Sequence, residues 1–164
     1  MARGSQWGPW LLFLALGFLL TGPAWIRADA YIGELDSNDL QGSIWAYWWS
    51  LFSLENGLNP FSGTHNFYPV GQEPVSQYNI FDGLLFAPLL KLFGVRVGFN
   101  LACVGVLASS GWGMMWLSQR LGLSRLAALT AGVAFLGSGF VFQEINSGRP
   151  TQAFVVFFLV AIGG

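Results

Sequence analysis

Apolar residues in this chain come in long blocks separated by short polar stretches, a pattern of buried or membrane helices rather than of half-buried strands. The block 7–26 (WGPWLLFLALGFLLTGPAWI), with Arg3 before it and Arg27 after it, predicts a first span. A crossing helix needs about 20 apolar residues, and this block supplies them. Ala28-Asp29-Ala30 resembles the small-residue site of a cleaved signal peptide, but the length of the apolar core favours a retained anchor. A polar region, 31–79, follows as a long first external loop. Within it, 37–57 predicts an amphipathic helix: Ser37, Asn38 or Asp39 can cap its start by accepting from free backbone N–H groups, and Gly57 ends it. Trp45, Trp48, Trp49 and Phe52 recur at helical spacing and share one face. With no basic face, such a helix suits lying on the membrane or against neighbouring helices. Pro60, Gly63, Pro69, Gly71 and Pro74 then exclude regular structure from the rest of the loop.

The segment 80–95 (IFDGLLFAPLLKLFGV) is apolar but short, and Asp82, Pro88 and Lys91 interrupt it. It predicts a re-entrant or interfacial helix. Clearer spans are expected at 98–117 and 126–142, joined by the basic turn SQRLGLSR. A further span begins at 152–164 and stops without a polar flank, so the chain reads as the N-terminal part of a longer membrane protein, or a truncated relic of one. The expected fold is therefore an all-α integral membrane protein in a single membrane domain. It has three to four transmembrane helices, plus interfacial helices in the long first external loop.

Orientation turns on 80–95. If it does not cross, Arg3, Arg120 and Arg125 lie in the cytoplasm, and Lys91, Arg96 and Arg149 outside. If it crosses, the later assignments flip, and the positive-inside rule slightly favours that arrangement. The first arrangement is preferred because it puts the polar stretches Glu34–Pro74 and Gln143–Gln152 on one non-cytoplasmic face.

Composition agrees with a lipid environment. Of 164 residues, 54% are hydrophobic and 9% charged, and the mean hydropathy is +0.54. Soluble domains carry about 25% charged residues. The net charge of −1 gives no basic field for nucleic acid. The single cysteine, Cys103, lies in an apolar run and reads as a small packing residue. There is no P-loop, dinucleotide fingerprint, HExxH or Cys/His metal spacing.

Candidate chemistry gathers in the polar stretches. Glu34, Asp36 and Asp39 lie within about two helical turns. Carboxylates at a bilayer edge are costly, and close ones repel, so they keep a proton or recruit a cation. A divalent ion, Mg or Mn, held by these oxygens can neutralise a phosphate. Alternatively, one carboxylate serves as general base toward a hydroxyl. The plainer reading is helix capping and solvation. His65 can ligate metal, bind phosphate or relay a proton, or simply face solvent. Arg149, between Gly148 and Pro150, can hold a phosphate bidentately or snorkel to headgroups, and Gln152 lies beside it as a further substrate contact. The WAYWW ridge suits interface packing more than sugar stacking.

The order of elements resembles the N-terminal part of bacterial multi-spanning membrane proteins of the GT-C glycosyltransferase architecture. The matching features are Asp39 with Trp45, Trp48 and Trp49, then Gly57-Leu58-Asn59-Pro60-Phe61, Phe67-Tyr68-Pro69-Val70-Gly71, Phe99-Asn100 and the SGRPTQ turn. They cover most of the chain from about Glu34 onward. Ser37-Asn38-Asp39 stands where such loops often begin with Gly-Asp-Ser, which leaves the equivalent carboxylate open between Asp39 and Asp36. The resemblance implies transfer of a sugar from a polyprenyl-phosphate donor to an acceptor on the periplasmic or external face of the bacterial inner membrane. It also implies that an acidic residue of the first external loop acts as base or metal ligand. Asp39 matches best by position and Asp36 second, with Glu34 a further metal ligand. Arg149, His65 and Gln152 would contact the donor, and membrane lipids surround the helices. The alternative is a non-enzymatic scaffold or transporter-like protein. Oligomeric state is open.

Overall fold

The computed structural model describes residues 7–27, 30–33, 37–62 and 79–163. Every regular element among them is helical: α1 (Trp7–Leu20), α2 (Gly22–Ile26), α3 (Asn38–Glu55), α4 (Ile80–Arg120), α5 (Arg125–Leu136), α6 (Gly139–Asn146), α7 (Pro150–Ala153) and α8 (Val156–Gly163). Two stretches are long and apolar enough to cross a membrane: Ile80–Arg120, and Arg125–Asn146 formed by α5 running into α6.

The boundaries differ from the expected ones for local reasons. The expected span 7–26 is interrupted after Leu20, where the Thr21 hydroxyl bonds back to the Gly17 carbonyl at 2.8 Å and Pro23 opens α2. Pro at a helix start is tolerated because its missing N–H has no partner there. Residues 80–95 and 98–117 form one continuous element, α4, with a break at Gly94, whose φ of 79° and ψ of 164° belong to a region open essentially to glycine alone. The chain doubles back there. A Cβ at Gly98 would lie 2.5 Å from the Leu90 Cα, whereas eight residues of straight helix span about 12 Å. Phe86 likewise meets Gly105, across the turn. Residues 80–93 are thus a short arm folded against the long one, 95–120.

Contacts along the long arm of α4 give each neighbour a direction. On α1, Trp10 meets Trp112 edge-on at 6.2 Å while Gly17 meets Val104, so α1 runs antiparallel to it. The chain turns at 121–124, where the Ser124 hydroxyl accepts from the Ala127 N–H and starts α5. Then α5 and α6 return, and α8 descends again with Val156 beside Gly113 and Gly163 beside Trp116. The crossing between α4 and α5 is tight: a Cβ at Gly132 would come within 2.6 Å of both the Gly111 carbonyl oxygen and the Phe13 ring of α1. Small residues at this crossing let the helices approach to close van der Waals packing.

At one end of this bundle, α3 and the short arm of α4 pack on each other through Gly83 and Ser50. Tyr47, Trp49 and Leu40 are buried beneath α3, with Phe99 of the long arm meeting Tyr47 at 5.0 Å. Asn100, next along, donates to the Ala30 carbonyl and accepts from the Ile32 N–H, which ties the extended segment after α2 to the same end. Cys103 is buried in the core.

Candidate functional site

The turn after α6 builds the site. Gly148 adopts a φ of +75° and passes so close to α3 that a Cβ there would lie 2.4 Å from the Leu40 Cα. Helix α3 fastens this turn at two points, with the Ser37 hydroxyl donating to the Ser147 carbonyl (2.9 Å) and the Ser43 hydroxyl to the Gly148 carbonyl (2.6 Å). Ser37 occupies the N-cap of α3 yet makes no side-chain capping bond; its hydroxyl is spent on Ser147 instead.

The turn delivers Arg149 between two carboxylates. Its Nη2 donates to Glu144 Oε1 at 3.1 Å, and its Nε lies 2.8 Å from Glu144 Oε2. The second approach is poorly aligned, so it is an ion contact rather than a directed hydrogen bond. Nη1 lies 3.8 Å from Asp39 Oδ2. The Glu144 side chain is 9% exposed and that of Asp39 47%, so one carboxylate anchors the guanidinium and the other stays within reach of solvent. Asp39 also sits in the first turn of α3, where the free N–H groups favour a negative charge.

Asp39 and Arg149, far apart in the chain, therefore meet. Gln152 is exposed on α7 and joined to Arg149 through its backbone N–H. Glu34, Asp36 and His65 lie outside the described residues. Among the described residues, no three His, Cys, Asp or Glu side chains cluster as metal ligands. Among the described residues the ionic partner of Asp39 is a guanidinium, so the described side chains do not by themselves form an oxygen-ligand set for Mg or Mn.

Two features were not singled out in the sequence. Glu144 sits inside a recognised polar stretch but gives no spacing signal of its own. Asp82 read only as an interruption of an apolar helix. In the structure it is 3% exposed, and its Oδ2 accepts from the Tyr47 hydroxyl (2.8 Å) and lies 2.8 Å from the Thr151 hydroxyl. Its Oδ1 has no hydrogen-bond partner. Thr151 also contacts the Asn79 amide oxygen, and the Asn79 Nδ2 donates to Ser43 Oγ at 2.8 Å. Burial holds the Tyr47 phenol well above its ordinary pKa, so it remains a donor.

A cleft of about 320 Å³ with a mixed lining, Thr21 and Asn146 among its polar members, opens beside the turn, between the α1–α2 elbow and α6. Leu20, Phe142 and Ile145 line it, and Arg27 stands at its wall. Gly33 links cleft and site, since a Cβ there would touch the Gly148 Cα at 3.3 Å. On α3, Trp45 and Trp49 stack with rings 4° from parallel, and Trp48 stacks on Phe52. Trp49 is fully buried and donates to the Pro60 carbonyl, while Trp45 and Trp48 are half-buried. Against known proteins, no family model, curated sequence or solved structure matches the chain.

Proposed function

We propose that the chain is a multi-pass membrane glycosyltransferase of GT-C type, which moves a sugar from a polyprenyl phosphate to an acceptor hydroxyl on the non-cytoplasmic face of a bacterial inner membrane. The observation that carries this reading is the meeting of Asp39 with Arg149 beside a cleft partly lined by Leu20, Phe142 and Ile145. The accessible Asp39 carboxylate takes the proton of the acceptor hydroxyl as its oxygen attacks the anomeric carbon. The bond from that carbon to the donor phosphate breaks, and the phosphate leaves with the bonding electrons. Arg149, held by Glu144 through Nε and Nη2, turns Nη1 toward the incoming charge. The cleft, with Arg27 at its wall, receives the first isoprene units of the donor. Asp36 assists Asp39, and His65 and Gln152 add contacts to the donor. A divalent ion would need Glu34 and Asp36 to complete its ligands, with Asp39 as the third. In this reading α1, the long arm of α4, the α5–α6 pair and 150–163 cross the bilayer, and α3 lies in its outer interface.

The second reading, a non-enzymatic scaffold or transporter-like protein, is favoured by one fact: Glu144 already satisfies much of the Arg149 guanidinium. The two readings separate on a donor assay. In proteoliposomes holding a radiolabelled polyprenyl-phosphate hexose, Asp39→Asn should lower transfer by about 10²-fold, the scale of a lost general base. Donor retention should stay unchanged, and Asp29→Asn should match the parent. Transfer at the parental rate by Asp39→Asn, or no retention of donor by the parent, leaves the scaffold reading standing.

A further inference from the structure

Five close contacts join six groups in one line: the Tyr47 hydroxyl, Asp82 Oδ2, the Thr151 hydroxyl, the Asn79 amide, the Ser43 hydroxyl and the Gly148 carbonyl. Taken as separate two-centre hydrogen bonds, each contact needs one hydrogen between its two heavy atoms. The three hydroxyls supply one each. The Asn79 amide supplies one more, because its nitrogen faces only one of its two neighbours whichever way the group is turned. An ionised Asp82 therefore leaves the line one hydrogen short. If the amide oxygen faced Ser43, the bare contact would fall between Ser43 and the Gly148 carbonyl, 2.6 Å apart, where no titratable group can fill it. With the nitrogen toward Ser43, the bare contact falls between Asp82 and Thr151, and a carboxylic acid fills it.

We propose that Asp82 is a buried proton-binding site: its carboxyl is neutral in the folded protein, and the acid proton completes an unbroken chain from Tyr47 to the Gly148 carbonyl that fixes the turn carrying Arg149. The protons then run in one direction, Tyr47 to Asp82, Asp82 to Thr151, Thr151 to Asn79, and Asn79 through Ser43 to Gly148. Burial favours the neutral acid and outweighs the first-turn N–H groups of α4, which favour the charge. Asp82 forms no ion pair among the described residues, and an unpaired buried carboxylate is far costlier than an acid. The unpartnered Oδ1 becomes a neutral carbonyl oxygen, the least expensive group to leave without a donor. Tyr47 on α3 and Cys103 on the long arm of α4 are the titratable groups that feel the charge of Asp82, and α7 presents Thr151, which does not titrate. The site needs neither the donor nor transfer activity, so it stands apart from the glycosyltransferase reading.

The test uses the whole chain in detergent with ¹³C at the side-chain carboxyl of aspartate. The sequence holds four aspartates, Asp29, Asp36, Asp39 and Asp82, so four signals are expected. At neutral pH three should lie at the carboxylate position and one at the position of a neutral acid. Asp82→Asn should remove that one signal and keep the fold, since the amide nitrogen, placed where Oδ2 stands, can donate one N–H to Thr151 and the other to the Tyr47 hydroxyl oxygen. If Asp82→Asn does not fold, Tyr47→Phe supplies the assignment, because loss of the phenol donor should shift the neutral-acid signal and leave the other three in place. Four carboxylate signals at neutral pH would overturn the proposal, and so would a neutral-acid signal that persists in Asp82→Asn or is unmoved in Tyr47→Phe.

Discussion

Arg149 and Glu144 show how much a single side chain can hold in this molecule. Glu144 is nearly sealed, and Arg149 is its described counter-charge. Arg149→Met should therefore strand a buried carboxylate and cost about 3 kcal/mol or more in detergent unfolding. The double variant Arg149→Met/Glu144→Gln should recover most of that loss, because the desolvated charge is gone. Asp39→Asn should change stability by less than about 1 kcal/mol, as expected for an exposed partner at 3.8 Å. Equal losses in the single and double variants would show that Arg149 acts through packing. At this scale the sequence was partly legible. Asp39 and Arg149 stood out because charges are scarce in so apolar a chain. Glu144 and Asp82 did not, since their importance comes from burial and from partners such as Thr151, 69 positions from Asp82, that no local spacing announces.

Elements were easier to read than their ends. Blocks of apolar residues announce helices, but where a block bends depends on backbone geometry and contacts. Gly94 illustrates this: within IFDGLLFAPLLKLFGV, Asp82, Pro88 and Lys91 were the visible interruptions, yet the reversal uses a glycine that none of them marks. Two glycines separate the physical causes. At Gly94 nothing lies within 4 Å of where a methyl would stand, so Gly94→Ala should cost about 1–3 kcal/mol from backbone strain alone. At Gly132 the cost is steric, because the methyl meets the Gly111 carbonyl and Phe13; Gly132→Ala should lose about 1–3 kcal/mol by overpacking. Gly42, exposed within α3 with open space around it, provides the control: Gly42→Ala should stabilise by about 0.5–1 kcal/mol. Thermal unfolding of the three variants in one detergent checks the order, and a stabilised Gly94→Ala would mean that the chain does not reverse there.

For the whole molecule, the long arm of α4 is the measuring rod. Its 26 residues, 95–120, extend about 39 Å, enough to cross the hydrocarbon core. Asp39 and Arg149 lie together near one end, and the turn at 121–124 marks the other. In a Cys103→Ala background, cysteines at positions 39 and 149 should react with an impermeant thiol reagent from the same side of a vesicle. A cysteine at Gly122 should react only from the opposite side. Labelling of all three from one side would mean that the α4 arm does not cross. The common location of Asp39 and Arg149 was legible from the polarity of the two stretches that carry them, which suits one shared face. The direction in which each helix runs was not, because hydropathy carries no information about neighbours.

The two fastenings between α3 and the turn after α6 have a mechanical consequence. Ser37 and Ser43 grip successive carbonyls, those of Ser147 and Gly148, and Leu40 closes the gap between them. No compliant segment separates the aromatic helix from the guanidinium that follows. If α3 floats in the headgroup layer, its depth sets the height of Arg149 above the hydrocarbon, as a float sets the height of a rigid arm. Lateral pressure and bilayer thickness would then become variables of the site, read through the same helix that holds its carboxylate.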